Sequence, residues 1–186
     1  MKDEGDAMAT KRQLEPFLNL ARKLGALEAK IVSTKKVFTA DWVRLKCRYG
    51  CPVYGYCLTC PPYSPEPAET RRVLDSYRYA ILLRTDRTKP LRKIGRDLER
   101  RIFLAGYYKA FAYLCGPCRL CRECPAVDLA HVGAPPKECL HAERARPAME
   151  AAGIDVFATA RAAGMPIEVV TNTSCKQNYY ALVLVD

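Results

Sequence analysis

Nine of the ten cysteines in this chain of 186 residues fall into two clusters. The upstream set comprises Cys47, Cys51, Cys57 and Cys60, and the downstream cysteines are Cys115, Cys118, Cys121, Cys124 and Cys139. A thiolate is a soft ligand, and soft ligands select iron–sulfur clusters, zinc or copper(I). The clustering therefore indicates a metal-binding protein, and its chemistry depends on which metal the thiolates hold.

The downstream spacing, CGPCRLCRECP, favours an iron–sulfur cluster over zinc. Structural zinc sites usually take two separate C-x-x-C pairs. A continuous run of cysteines can instead wrap around a cuboidal cluster, as in the C-x2-C-x2-C-x3-C-P run of bacterial ferredoxins. The last gap here is shorter than in that run, but Cys124 is again followed by Pro125. Spacing allows two ligand sets: Cys115, Cys118 and Cys121 with a remote fourth ligand, or Cys118, Cys121, Cys124 and Cys139.

Both cysteine-rich segments resemble those of a prokaryotic family of predicted metal-binding proteins of unknown function. The likeness is carried by KCRYGCPVYGYCLTCPPYSP, by GPCRLCREC and by PPKECLHAERARPAMEAAGIDV, and it runs from about Leu27 to Val185. The family pattern G-P-C-x-L-C-x-x-C, with a further cysteine before an R-P-x-M-E-A segment, implies the ligands Cys118, Cys121, Cys124 and Cys139. Cys115 is then a small buried core residue. The resemblance implies a metal or iron–sulfur protein and supplies no reaction.

The upstream set allows more than one mode of ligation. We expect all four of its thiolates to hold a second 4Fe–4S cluster, because Cys57 lies within the set and the thiols have no other evident use. The family pattern matches the other three cysteines and the following Pro-Pro more firmly. Ligation by three thiolates would leave one position open, as catalytic metal sites do. A third arrangement exchanges Cys60 and Cys124 between the clusters, as the Cys-Pro cysteine does in two-cluster ferredoxins.

Few other residues are candidate ligands. Cys175 is isolated in a predicted turn and is expected to be a free thiol. His131 and His141 are the only histidines, and either can complete a Cys3His zinc site. A lone histidine in a polar loop is more often solvated. The sequence contains no phosphate-binding glycine motif, no nucleophile motif and no paired acid–base signature, so no catalytic residue is assigned.

The formal charge of the chain is +10 at pH 7. Two 4Fe–4S clusters with four thiolates each carry about −2 apiece, which would lower it from +10 to roughly +6. The basic residues are spread along the chain, which favours a solvated surface over a nucleic-acid-binding patch. The charged N-terminal sequence and the absence of a long apolar run predict a cytoplasmic protein with reduced thiols and no membrane span.

The predicted elements indicate an α+β fold, in which helices cover a mixed β-sheet and two cysteine-rich metal-binding loops lie at one edge. Residues 1–9 are predicted to be a flexible tail and 10–186 a single domain, with the cysteine-rich loops at 47–62 and 115–139. The predicted helices cover 10–24, 64–77, 90–113, 145–153 and 155–164. The predicted strands cover 27–33, 42–46, 77–84, 167–171 and 179–185.

The leading functional hypothesis is a protein with two 4Fe–4S clusters that transfers electrons to a partner enzyme. Basic residues on the predicted 90–113 helix would form a docking face for an acidic redox partner. One alternative is an enzyme that uses a site-open cluster at the upstream set. Another is a zinc-stapled module that binds nucleic acid or protein. Whether the protein is an enzyme stays undecided.

Overall fold

The computed structural model describes residues 10–172 and 174–186, which contain five α-helices and four β-strands. The helices are α1 (Lys11–Lys23), α2 (Asp41–Gly50), α3 (Pro67–Asp75), α4 (Thr88–Leu104) and α5 (Val156–Ala162). The strands are β1 (Glu28–Ser33), β2 (Tyr79–Thr85), β3 (Phe111–Tyr113) and β4 (Tyr179–Leu184). Short 3₁₀ helices form at Thr34–Lys36 and Glu150–Ala152.

The four strands form one sheet in the order β1-β2-β4-β3. Strands β2 and β4 lie at its centre and are buried on both faces, so their sequences are continuous apolar runs without alternation. The predicted α+β class is confirmed. Every pair of neighbouring strands in the described residues is antiparallel. The prediction of a mixed sheet, with both parallel and antiparallel pairs, is therefore wrong.

Each face of the sheet carries its own hydrophobic layer. Helices α1 and α4 cover one face, with α4 contributing Leu91, Ile94, Leu98 and Ile102 at helical spacing. The other face is covered by α3, α5 and the segment around the second 3₁₀ helix. Of the two cysteine segments, the downstream one follows a strand of this sheet, whereas the upstream one follows α2.

The downstream cysteine segment leaves the sheet from edge strand β3. Residues 114–149, all of which the structure describes, form no helix or strand, and this confirms the predicted cysteine-rich loop. Both ends of the stretch are tied together, because the Leu114 N–H donates to the Pro147 carbonyl at 2.7 Å and the Met149 N–H donates to the Leu114 carbonyl at 2.9 Å. The upstream segment lies beside the same region, since α2 packs against the second 3₁₀ helix.

The strand predicted over 42–46 is wrong, because these residues belong to α2. Val43 is the only buried residue of the helix, so the segment has no apolar face at helical spacing. Trp42 and Leu45 are exposed, so their apolar character reflects no burial in the core. The helix places Cys47 in its last turn and Cys51 directly after its end. The cysteine-rich loop predicted at 47–62 therefore begins at Cys51, because 47–50 are helical.

Helix α4 ends earlier than predicted. It stops at Leu104, and Gly106 follows with φ of +101°, a conformation that favours glycine. Strand β3 then pairs with β4, so the expected helix over 90–113 is wrong beyond Leu104. A short edge strand replaces the last turns of that helix and delivers the chain to Cys115.

Three other element predictions need adjustment. The helix expected to begin with Ser64 as its N-cap begins at Pro67 with Glu66 as N-cap, because the Ser64 hydroxyl donates instead to the Ala151 carbonyl. The strand predicted over 167–171 is not formed. The helix predicted over 145–153 is reduced to the second 3₁₀ helix.

The remaining elements agree with prediction within a few residues. Helix α1 carries the capping box of Thr10 and Gln13, and α5 has the expected N-cap Asp155, whose carboxylate accepts from the Ala158 N–H. Strands β1, β2 and β4 lie where expected. The predicted tail at residues 1–9 lies outside the described residues.

The limits of the domain stay a prediction. Among the described helices, none combines the length and apolar character that crossing a bilayer requires.

Gly153 should tolerate no side chain. It has φ of +74°, and an added Cβ would lie 2.4 Å from Pro67 Cγ and 3.0 Å from Pro67 Cα. We expect Gly153→Ala to cost about 3 kcal/mol through left-handed strain and overpacking, and to lower the melting temperature by roughly 6–12 °C. Thermal unfolding of anaerobic protein measures this.

Gly106→Ala is the matched control, because Gly106 also has a positive φ but an added Cβ meets nothing within 4 Å. It should cost only the strain, about 1 kcal/mol. Equal destabilisation by the two substitutions would contradict a role for the Pro67 contact.

Candidate metal centre

Eight of the nine clustered cysteines line two adjoining cavities, and the division differs from their grouping in sequence. The three-thiol cavity has a volume of about 200 Å³ and is lined by Cys47, Cys51 and Cys60. The five-thiol cavity is lined by Cys57, Cys118, Cys121, Cys124 and Cys139. Its free volume is only about 20 Å³. Cys57 therefore joins the downstream cysteines, although the sequence places it in the upstream set.

The three-thiol cavity is built from separate parts of the chain. Cys47 comes from α2, and its thiol lies 4.0 Å from the Glu150 carbonyl on the second 3₁₀ helix. Cys60 lies in a tight turn, where the backbone N–H groups of Tyr63 and Ser64 donate to its carbonyl. Gly116 and Pro117, from the start of the downstream loop, complete the wall.

Arg44 fixes α2 against the rest of this cavity. Its guanidinium donates from Nη1 to the Ala151 carbonyl at 2.6 Å and to the Ser64 hydroxyl at 2.8 Å, and from Nη2 to Glu66 Oε1 at 2.6 Å. Arg44 lies one turn before Cys47 on the same helix face. Sequence reasoning missed Arg44 because it assigned 42–46 to a strand. Residues three apart lie on opposite faces of a strand, whereas they share one face of a helix.

The two cysteine segments are held together by side chain to backbone hydrogen bonds. The Tyr56 hydroxyl donates to the Arg122 carbonyl at 2.8 Å, and the Gly133 N–H donates to the Tyr63 hydroxyl at 2.9 Å. The Arg119 guanidinium also lies over the Tyr56 ring, 5.5 Å from its centre. Tyr56 and Tyr63 of the upstream segment thus join it to the downstream loop. Tyr49 is instead 77% exposed.

Cys57 lies at the boundary between the cavities. Its sulfur is 3.4 Å from the Cys60 sulfur and 3.3 Å from Thr59 Oγ1. The hydrogen bond from Cys60 lowers the pKa of Cys57, with help from Thr59 and from the backbone of Cys118. The same bond raises the pKa of Cys60, and burial adds to this effect. The two sulfurs are in contact, although Cys57 lines the five-thiol cavity and Cys60 lines the three-thiol cavity.

Desolvation disfavours ionisation of one thiol in each cavity, Cys47 and Cys118. Burial raises the pKa of Cys47, and the neighbouring Cys51 adds to the shift. Burial likewise raises the pKa of Cys118, with smaller contributions from Cys57, Cys124 and Cys139. Several thiolates confined in one desolvated space repel one another unless a cation compensates their charge. This donor set consists of soft sulfur alone and fits thiophilic metal.

No three cysteine, histidine or carboxylate side chains in the described residues lie close enough together to hold a single metal ion. The thiols instead surround two volumes, as the ligands of an inorganic cluster do at its corners. The five-thiol cavity has room for about one water molecule. Its thiols would have to separate to admit a cluster, whereas the three-thiol cavity is already open.

Cys115 lies apart from both cavities. It is 3% exposed, and its thiol lies 3.7 Å from the Thr88 carbonyl. Burial raises its pKa to about 12. These surroundings match the expected core residue, although Cys115 follows a strand and not a helix. Cys175 is partly exposed, and hydrogen bonds from Thr171 and Asn172 lower its pKa.

The two histidines have different surroundings. His131 is exposed, and its Nδ1 lies 2.9 Å from Asp128 Oδ2. His141, which the sequence offered as a candidate ligand, lies at the wall of the five-thiol cavity. Sequence reasoning missed Glu150, which borders the three-thiol cavity. Glu150 is exposed, although desolvation by neighbouring protein raises the pKa of its carboxyl.

Comparison with known families decides the broad class. The model of a family described as predicted metal-binding proteins, DUF2284, matches residues 30–185. The chain belongs to this family. No curated protein and no solved structure matches the chain significantly. Membership confirms the predicted resemblance and a cysteine-rich metal-binding protein, while the metal, the stoichiometry and the individual ligands stay predictions.

The surroundings of Cys115 and Cys175 predict opposite reactivity in the native protein. The thiolate is the nucleophile, so a raised pKa and burial protect Cys115, whereas a lowered pKa keeps Cys175 ionised to lower pH. Limited anaerobic alkylation with iodoacetamide at pH 7.5, read by peptide mass spectrometry, should modify Cys175 and leave Cys115 intact. Unfolding in urea, the control, should make their rates similar. Comparable native rates would show that Cys115 is not a protected core thiol.

Proposed function

We propose that this protein holds two iron–sulfur clusters, one in each cavity, and that the cluster in the three-thiol cavity has a coordination position free of protein thiolate. The observation that carries the proposal is the placement of Cys57 on the wall of the five-thiol cavity, which leaves three thiols in the other. Three protein ligands with one open position are typical of catalytic metal sites.

Residue chemistry supports iron–sulfur clusters over zinc. The five-thiol cavity gathers the closely spaced Cys118, Cys121 and Cys124 from one loop, together with the distant Cys139. This combination of a cysteine run and a remote cysteine is the mode of ligation seen in ferredoxins. When bound, such clusters supply reversible one-electron chemistry.

The two centres would communicate through Cys57 and Cys60. Their sulfurs are 3.4 Å apart, and each faces a different cavity. With this contact, the five-thiol centre can serve electron entry and the three-thiol centre can serve ligand binding. This division of roles joins the electron-transfer and site-open hypotheses.

A basic surface beside the five-thiol cavity suits an acidic redox partner. Arg96 on α4 lies within electrostatic reach of Cys118, Arg92 and Arg144. Burial and the nearby arginines lower the pKa of Arg96, and Cys118 opposes this shift. Guanidinium groups here would stabilise negative charge on the thiolates and attract an acidic docking surface.

Metal and sulfide analysis tests the clusters directly. Anaerobically purified protein should be brown and should contain about eight iron atoms and about eight acid-labile sulfides per chain if both clusters are 4Fe–4S. Elemental analysis and visible absorption spectroscopy measure this. Colourless protein with zinc and no sulfide would instead support the zinc-stapled module, in which case any nucleic-acid binding should weaken steeply with salt.

Substitutions at the boundary test the open position. Cys60→Ser removes a thiol from the three-thiol cavity and should reduce the iron content by about half. Cys57→Ser should retain both clusters, because the family pattern implies four other ligands for the five-thiol centre: Cys118, Cys121, Cys124 and Cys139. Cys175→Ser is the control and should retain all the iron. Loss of half the iron in Cys57→Ser would overturn either the open position or the four-cysteine ligation of the second centre. Electron paramagnetic resonance of the remaining cluster distinguishes these outcomes.

A further inference from the structure

A groove with a volume of about 550 Å³ adjoins the three-thiol cavity. We call it the aromatic groove, because its lining includes the rings of Trp42, Phe157, Tyr179 and Tyr180. The groove and the three-thiol cavity share Cys47, Cys51, Gly116 and Glu150 as walls. A molecule in the groove would therefore lie directly against two of the proposed metal ligands.

The size and lining of the groove suit a small organic molecule. Ligand pockets commonly have volumes of about 300–1,000 Å³ and mostly apolar walls with a few polar groups. Val169 and Val170 are 67% and 48% exposed, and both form part of the wall. Exposed aliphatic and aromatic side chains that converge on one concave surface lose water contact when such a molecule binds.

The charges around the groove disfavour an anion. Lys46 is the basic lining residue, whereas Glu150 and Glu168 are acidic. The thiolates of Cys47 and Cys51 would add negative charge when a cluster is bound. An uncharged ligand therefore faces a smaller electrostatic cost at this site than an anion does.

We propose that the aromatic groove binds an uncharged organic thiol with an apolar body, whose sulfur reaches the open position at the three-thiol centre. This proposal rests on the proposed function, because a soft metal position selects a soft sulfur donor. With a cluster held by Cys47, Cys51 and Cys60, the ligand sulfur would bond to the open metal position and the thiol proton would be released to solvent. The step involves no oxidation or reduction.

Trp42 provides a reporter of groove occupancy, because it is the only tryptophan in the chain and it lines the groove. Anaerobic, iron-loaded protein is titrated with phenylmethanethiol and with phenylmethanol, which differ in the donor atom alone. Mercaptoacetate adds an anionic thiol. Trp42 fluorescence reports the groove, and visible absorption reports contact with the cluster. We expect phenylmethanethiol to change both signals and to bind at least tenfold more tightly than either comparison compound.

A substitution in the wall tests the route to the metal. Val170→Arg should weaken binding of phenylmethanethiol about tenfold, because it places a long charged side chain in the groove. Leu104→Arg is the matched control, since Leu104 is also exposed but lies at the end of α4, and it should leave binding unchanged.

The experiment distinguishes failure of the groove proposal from failure of the proposed clusters. If iron is present and phenylmethanethiol changes the absorption without changing Trp42 fluorescence, or if Val170→Arg has no effect, the groove is not the site and the clusters stand. Equal affinities for the thiol and the alcohol on iron-loaded protein would overturn the role of sulfur. Absence of iron and sulfide would overturn the proposed function itself, and the inference with it.

Discussion

Two of the thiols that are proposed to hold metal, Cys47 and Cys118, lie in surroundings that oppose their ionisation. Burial raises the pKa of Cys47 and of Cys118, and neighbouring sulfurs add to both shifts. A bound metal deprotonates thiols and compensates their charge, so metal binding and the folding of these segments are thermodynamically linked. This linkage matters most for residues 114–149, because this described segment has no helix or strand of its own to stabilise it.

The antiparallel sheet gives these segments fixed starting points. Edge strand β3 delivers the chain to the downstream loop, and the backbone pairing of Leu114 with Pro147 and Met149 closes that loop at its base. Arg44 fixes α2 and therefore Cys47 against the 3₁₀ helix at Glu150–Ala152. The site thus depends on two rigid supports, with irregular backbone only where the thiols converge.

The parts of the fold that local sequence determines were predictable. Helix α1 has a capping box and one apolar face, and β2 and β4 are apolar runs of strand length, so their positions follow from local pattern. Helix α2 was predicted as a strand because it buries only Val43, so no apolar face marks it as helical. The end of α4 was missed because a single glycine and an edge strand three residues long give little signal.

The sequence by itself determined the donor chemistry, since cysteine type and spacing identify soft metal ligands, and family membership agrees. The tertiary structure decided how the thiols are divided. Cys57 and Cys60 are close in sequence, yet the tight turn between them directs their sulfurs into different cavities. The adjoining groove likewise combines α2, α5 and β4, which are remote in sequence. Cysteine spacing shows which residues can serve as metal ligands. Only packing between elements that are distant in sequence fixes the cavity toward which each side chain points.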